Sequence, residues 1–288
     1  MSSSETSAGA ASAALLSSRT SVFRYAADRP RVLAFAGLFL LDVWAYLYLD
    51  HPVLLLLVFG LGILPKAPVC AFNHHHQHVT TFTSEPLNRL LELMYALQTG
   101  VTSQAWVLHH SIGHHLNYLD QKKDESRWQR EDGSTMGELE YSVNVTLTAY
   151  PRAWKVSAKY PKLRFTFVWM GVLSVALVAA LVAYRPVPGL IIFVLGPLFS
   201  LFGTAWATYA HHAGRSTASH SVASNNMMQP FYNWLTGNLG LHSAHHTRPG
   251  VHWSELPKLH EELKGAMPAD AFVEPGWPWR WFGKTPPP

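Results

Sequence analysis

Histidine is the residue type that dominates the possible chemistry of this chain. Seventeen of the 288 residues are histidine, and most of them fall in four short clusters. Histidine is the commonest metal ligand that proteins provide. Many of the clustered histidines are three or four residues apart, a spacing that places two side chains on one face of a helix. The sequence therefore predicts a metal centre built from histidine. The clusters are Asn73–His78, His109–His115, His211–His212 and His242–His246.

Adjacent histidines in two clusters indicate that the centre holds two metal ions. His114 precedes His115, and His245 precedes His246. Neighbouring residues on an α-helix point about 100° apart, so each pair can serve two ions from one segment. The last apolar run adds one more ligand, from its doubled histidine. The candidate ligands are His74, His78, His110, His114, His115, His242, His245 and His246, with either His211 or His212.

The number of candidate ligands bears on the identity of the metal. Imidazole binds Zn, Cu, Fe and Ni, so the ligand type alone does not decide. A tetrahedral zinc site takes four protein ligands, or three and a water, which is fewer than this chain offers. Two five- or six-coordinate irons would use the histidines better. The single cysteine, Cys70, excludes an internal disulfide and any cysteine-based zinc or iron–sulfur site.

Four apolar runs must position these histidines. Val32–Leu49 and Pro52–Phe72 form one pair, and Phe165–Tyr184 and Gly189–Ala210 form the other. Each run is near the ~20 residues that a helix needs to cross a bilayer. We predict two transmembrane hairpins, in preference to four buried helices of a soluble protein. The predicted fold class is an all-α membrane protein of four transmembrane helices, with a cytosolic helical cap that carries the histidines.

The distribution of lysine and arginine predicts which side of the membrane carries the clusters. Four arginines precede the first apolar run and ten basic residues lie between the two hairpins, whereas the hairpin loops contain only Arg185. Basic residues collect on the cytoplasmic side of membranes. Both termini and every histidine cluster are therefore predicted to be cytoplasmic.

The chain is predicted to contain one membrane domain between two tails. Residues 1–31 form a disordered basic tail, residues 32–266 form the domain, and residues 267–288 form a tail rich in proline and tryptophan. The cap comprises residues 73–164 and 211–266. Within the cap we predict an amphipathic helix over Thr83–Gly100, a surface loop over Asp120–Gly137 and a short helix over Glu255–Lys264.

The histidine motifs resemble those of the integral-membrane fatty acid desaturase and hydroxylase superfamily. The motifs are HxxxH, HxxxHH and HxxHH, arranged around two membrane hairpins, and the resemblance covers roughly Val32 to Leu263. The run Gly237–His246 is especially similar to bacterial desaturases, for which the bacterial inner membrane is the expected location. His110–His115 and His242–His246 also resemble the alkane monooxygenase branch.

The resemblance implies a non-haem di-iron centre with O2 as cosubstrate. It assigns His212 as the ligand after the last apolar run, because Tyr209-Ala-His-His resembles the family's Tyr-x-x-His, although His211 stays an alternative. Residues that hold ligands in place complete such a centre. The ligands so implied are His74, His78, His110, His114, His115, His212, His242, His245 and His246, with Asn238, Asp120, His211 and His109 as candidates for orienting them.

The implied activity is desaturation of a fatty-acyl chain, carried as a thioester or in a lipid. A hydroxylase or alkane monooxygenase, a ketolase and a decarboxylase are the alternatives within the superfamily. The electrons must come from a separate donor, a ferredoxin or a cytochrome b5-like protein. The chain itself has no dinucleotide fingerprint, no haem-attachment motif and no cysteine set for an iron–sulfur cluster.

Two other classes of function fit the sequence less well. Lysine and arginine are scattered and match no nucleic-acid module, which excludes nucleic-acid binding. A histidine-rich metal transporter needs polar ligands along its path through the bilayer. Asp42 and Lys66 are the only charged residues within the four apolar runs, and the second hairpin contributes none.

Overall fold

A computed structural model of the chain describes residues 21–276 and 279–282. Within this part of the chain the structure is helical, with isolated bridges in place of strands. The α-helices are α1 Asp28–Tyr48, α2 Pro52–His78, α3 Glu85–Thr99, α4 Glu138–Ser157, α5 Pro161–Tyr184, α6 Pro186–His212, α7 Pro230–Thr236, α8 His242–Thr247 and α9 Leu256–Leu263.

Helices α1, α2, α5 and α6 are each long and apolar enough to cross a membrane, which confirms the prediction of four such helices. Proline occupies the first turn of α2, α5 and α6, where its fixed φ suits a helix start and its missing N–H leaves no bond unmade. Many apolar side chains on these helices face outwards, such as Leu61 at 78% exposure. A helix that is apolar on its outward face suits a lipid environment.

Two of the membrane helices run on beyond their apolar stretches. Helix α2 continues past Phe72 to His78, and α6 continues past Ala210 to His212. Each helix therefore delivers a histidine cluster on its last turns without an intervening loop. A long helix holds the side chains of these turns rigidly, which suits a functional site that needs a fixed geometry.

A single arginine joins the two hairpins at the end remote from the histidines. Arg185, between α5 and α6, donates hydrogen bonds to the carbonyls of Tyr46 and Leu49 and pairs with Asp50. The Tyr46 hydroxyl donates to the carbonyl of Leu181 at 2.9 Å. The bonds from Arg185 satisfy carbonyls at the end of α1, where backbone carbonyls lack a partner within the helix.

Helix α3 confirms the predicted amphipathic helix but buries the face that the sequence indicates as polar. Gly100 ends it at φ 72° and lies so close to α6 that an added Cβ would be 2.9 Å from the carbonyl oxygen of Pro197. Glu92 is buried, where it contacts Arg89, Ser103 and His76. Polar residues can be buried when they are hydrogen-bonded, and two of these partners, Ser103 and His76, lie outside α3, where its periodicity does not reveal them.

Both predicted tails make contacts with the domain. Phe23 forms a bridge with Phe82, while Phe272 forms one with Asn226. The ring of Trp279 lies edge-on to Tyr232, with centroids 5.4 Å apart. Helix α1 begins inside the predicted first tail, and residues 1–20 of that tail lie outside the described residues.

Candidate metal centre

Two groups of histidines meet where the ends of α2 and α6 contact the cap. In each group, one ring nitrogen from every histidine lies within 4.8 Å of the corresponding nitrogens of the others. His242 extends the second group, because its Nε2 is 2.9 Å from Nε2 of His212. The first group is His74, His78, His110, His115 and His245, and the second is His114, His212 and His246.

Neighbouring histidines are divided between the two groups. His114 belongs to the second group and His115 to the first. The same division separates His246 from His245. The arrangement matches the expectation that adjacent side chains diverge enough to serve two ions. All nine histidines of the predicted ligand set come together, although their assignment as ligands remains a proposal.

The second cluster reaches the centre through an unusual backbone. Val107–Ile112 is a π-helix, and the amide of His115 bonds to the carbonyl of His110, five residues back. At Gly113 an added Cβ would overlap the His109 carbonyl and lie 2.7 Å from Cγ of Glu125. The prediction of a regular helix face for this cluster is therefore wrong. The wider turn and the absent side chain let the following histidines bend inward.

Helix α8 carries the last cluster and is held by buried polar side chains. The Asn226 amide accepts a hydrogen bond from the backbone N–H of Ser243 at 3.0 Å and donates to its hydroxyl at 2.8 Å. The Ser224 and Ser243 hydroxyls are 2.9 Å apart. A helix of six residues has little stability of its own, so these bonds fix its place.

Three histidines of the second group have their rings oriented by hydrogen bonds through Nδ1. His114 donates to Oδ1 of Asp124 at 2.8 Å. His212 and His242 donate to the carbonyls of Ala223 and Leu239 at 3.2 and 3.3 Å. Because these oxygens only accept, each Nδ1 must carry the proton. The lone pair of each Nε2 then points into the cluster, which is the tautomer that a metal ligand needs.

The ring nitrogens have the spacing of ligands around shared ions. The Nε2 atoms of His74 and His245 are 2.9 Å apart, as are those of His110 and His115. Two nitrogens about 2.1 Å from one ion and at right angles to each other lie about 3 Å apart. In the described residues, the buried nitrogens of His246 have no hydrogen-bond partner. The donor set therefore fits metal ions.

Burial favours the neutral, metal-binding form of these side chains. Desolvation, with a further contribution from neighbouring imidazoles, holds the pKa of His110, His115, His245 and His246 well below the usual value. Metal binding requires imidazole without the second proton. At neutral pH the cluster is therefore ready to accept metal without first losing protons.

The structure separates the two histidines at the end of α6. His212 lies in the second group, whereas the ring of His211 stacks on His242 with centroids 4.0 Å apart. Nε2 of His211 is 3.0 Å from the hydroxyl of Tyr232. His211 thus supports a candidate ligand by packing and does not extend either group.

The other candidates for orienting the ligands lie outside both groups. His109 is buried against Trp106, with ring centroids 6.0 Å apart. Asn238 donates to the carbonyl of Trp253 at 3.0 Å and not to a histidine. Asp120 lies at the surface, where Lys123 pairs with it at 2.7 Å.

Asp124 makes the contact that the sequence indicated for Asp120. Its side chain is 1% exposed and bonds both His114 and the backbone N–H of Ser126, the latter at 2.7 Å. It lies within the stretch predicted as a surface loop. An acidic residue ten positions from a histidine belongs to no helical spacing rule, so no sequence signal marks it beyond its charge.

An apolar cavity of about 930 Å³ lies between α2 and α6 and reaches the histidines. Phe59, Ile63 and Phe202 line its remote part. At the other end it reaches the rings of His74, His110 and His242, which belong to both groups. The cavity therefore brings an apolar ligand to the candidate metal centre, and its size is that of a site for a small organic molecule.

The sequence of this chain matches the family model described as fatty acid desaturase, over residues 50–277. The match covers most of the chain and all four histidine clusters, and the chain belongs to the fatty acid desaturase family. Members of this family are oxidoreductases, and the four apolar helices fit an integral membrane protein. Neither a curated protein nor a solved structure matches the chain.

Proposed function

We propose that the protein is a membrane-bound non-haem di-iron desaturase that introduces a double bond into a fatty-acyl chain. The observation that carries the proposal is the apolar cavity that lies within the membrane helices and ends on both histidine groups. A long hydrocarbon is the substrate whose shape and polarity fit such a cavity.

Each histidine group would hold one iron ion. Bound iron, with O2 and two electrons from outside, would supply the oxidant for an unactivated C–H bond. The protein holds the ligand side chains rigidly: α2 and α6 anchor one end of the set, and Asp124 fixes the ring of His114. The apolar walls keep water from the reacting carbon and prevent the chain from leaving its position.

The substrate class follows from the walls of the cavity. Its lining is mostly apolar, with aromatic side chains such as Phe59, Phe199 and Phe202 in the part remote from the histidines. A straight acyl chain can lie along the cavity with one of its carbons beside His74 and His242. Burial of each methylene would contribute about 0.8 kcal/mol. The depth of the cavity would therefore determine the preferred length of the acyl chain.

The orientation and the electron donor are part of the same proposal. We infer that the termini and the histidines face the cytoplasm, in the inner membrane of a bacterium. A ferredoxin or a cytochrome b5-like protein would deliver the electrons. Basic side chains outside the membrane helices would speed the encounter with an acidic donor, an effect that added salt weakens.

The test is analysis of total fatty acids by gas chromatography–mass spectrometry in a bacterial host. One culture expresses the protein, a second its His114→Ala variant and a third a His51→Asn variant, all aerated and iron-replete. His51 caps the opposite end of α2, and asparagine retains the cap. We expect a new unsaturated acid in the first and third cultures only.

Other products would replace the proposal within the same family. A hydroxy acid, a keto product or a terminal alkene would indicate a hydroxylase, a ketolase or a decarboxylase acting through the same centre. The same new product in the first two cultures, with a ferredoxin and its reductase co-expressed, would refute an oxidative role for the histidines.

A further inference from the structure

A buried ion pair lies within the membrane-spanning helices. Nζ of Lys66, on α2, is 2.7 Å from Oδ1 of Asp42, on α1, and both side chains are largely buried. Charged residues inside membrane helices are costly, and their presence marks a functional site by default. This pair contributes nothing to the histidine groups, so its role lies elsewhere.

The lysine of this pair also lines the apolar cavity. Lys66 forms part of the cavity wall together with Cys70, Ser200 and Thr204. It lies eight residues before His74 on the same helix, which corresponds to about 12 Å along the helix axis. The cavity wall thus carries a polar patch at a set distance from the candidate metal centre.

The ammonium group of Lys66 has more N–H donors than the hydrogen bonds that it makes. An ammonium has three N–H donors. Among the described residues, Lys66 donates one hydrogen bond, to Asp42. The hydroxyl of Thr204 donates to the carbonyl of Ser200 at 2.9 Å, which commits its own proton within α6. A residue of the cavity wall therefore retains N–H donors that its ion pair does not use.

The charge of the pair decides which chemical group it would accept. The ammonium and the carboxylate together are neutral, so an added carboxylate or phosphate would leave a net negative charge in an apolar environment. That arrangement is unfavourable. A neutral oxygen that accepts a hydrogen bond would instead satisfy the free donor without adding charge.

We infer that Lys66 is a specificity-determining residue for a hydrocarbon that carries a neutral oxygen acceptor about 12 Å from the metal centre. The acceptor is a hydroxyl, a keto group or an ester carbonyl. The inference rests on the proposed function in one respect, that the cavity holds the substrate. Its basis is the placement of the Lys66–Asp42 pair in the cavity wall.

The competing explanation is that the ion pair only ties α1 to α2. A purely structural tie would affect stability but would not distinguish two ligands that differ by one oxygen. A site that donates to a ligand oxygen discriminates strongly against the analogue without it, because its donor is then left unpaired. Discrimination between such ligands therefore separates the two explanations.

The experiment measures binding, not turnover. Octadecane and a series of octadecanones, with the keto group moved one carbon at a time, compete with radiolabelled octadecane for the purified protein in detergent. We expect ketones with the oxygen at a few consecutive positions to bind at least tenfold more tightly than octadecane. The preference falls to about onefold in the Asp42→Leu/Lys66→Met double variant, which removes both charges together.

The Lys66→Arg variant is the matched control, since it keeps the charge and the donors and should retain a preference. Thermal unfolding of each variant shows that the protein is folded. A series with no preferred position, or a preference that persists in the double variant, would overturn the inference while leaving the proposed function intact. If neither octadecane nor any of the ketones competes for the protein, the cavity does not hold a hydrocarbon substrate, and both proposals fail.

Discussion

Replacement of Asp124 by asparagine should weaken metal binding without unfolding the protein. The carboxylate accepts hydrogen bonds from Nδ1 of His114 and the amide of Ser126, at 2.8 and 2.7 Å, with 1% of its side chain exposed. Asparagine has nearly the same shape, and its amide oxygen can accept both bonds. The perturbation is therefore mainly the loss of a negative charge beside the imidazole.

The size of the effect follows from the burial and the charge. A hydrogen bond to a charged group contributes about 1.5–3 kcal/mol, against about 0.5–1.5 kcal/mol for a neutral one. The midpoints of these ranges differ by about 1.25 kcal/mol, and about 1.4 kcal/mol corresponds to a tenfold change in an equilibrium constant. Partners of metal-bound histidines typically affect metal affinity by about 10- to 100-fold. We expect about tenfold weaker binding for Asp124→Asn and up to about 100-fold for Asp124→Ala.

The assay is competition for iron between the purified protein and a chelator of known affinity. The matched control is Asp120→Asn, the same substitution four residues earlier. Asp120 is exposed and contacts Lys122 and Lys123 only through surface bonds, so its loss should leave iron affinity within about twofold. Equal affinities for the two asparagine variants would refute the argument that Asp124 orients and polarises a ligand.

Three further predictions concern packing, pH and the cavity. In Gly113→Ala the added methyl group meets the His109 carbonyl and Glu125, and overpacking of this kind costs about 1–3 kcal/mol. The unfolding temperature and the iron content should both fall. Gly250→Ala, with open space around it, should match the wild type. In protein stripped of metal, the pKa values of four buried histidines are lowered, so the unfolded chain takes up protons which the folded state does not; these are His110, His115, His245 and His246. The unfolding temperature should therefore be highest above pH ~6.5 and fall progressively below it. A flat profile between about pH 7.5 and 5 would contradict this. In Gly203→Leu the new side chain enters the cavity, where an added Cβ meets nothing within 4 Å. The products should shift to shorter chains in the fatty acid profile. The control is Gly171→Leu, whose site is equally open but is not part of the cavity wall, and its products should not shift.

The membrane helices and the gathering of the histidines could be predicted because their signals are local. The length of an apolar run determines whether a helix can cross a bilayer, and α2 and α6 needed no tertiary contact to be found. The type and spacing of His74 and His78 on one helix face are likewise visible in the sequence. The division of His245 from His246, which lie on α8, followed from the geometry of adjacent helical residues.

The features that could not be predicted depend on contacts between distant segments. The π-helix at Val107–Ile112 is accommodated because Gly113 lies against Glu125, which no periodicity reveals. Asp124 lies in a charged stretch that resembles an ordinary surface loop, so the local sequence does not mark it as buried. The polar face of α3 is buried because Ser103 and His76 supply partners for Glu92. In each case tertiary packing overrides the local pattern.

The most direct test of the account is the metal content of the purified protein. The protein is prepared from aerated, iron-replete cells, and iron, zinc, copper and nickel are measured together against the concentration of chain. Two histidine groups, each holding one ion, predict close to two tightly bound irons per chain. Zinc in place of iron, or a single ion per chain after reconstitution with excess iron, would contradict the di-iron centre.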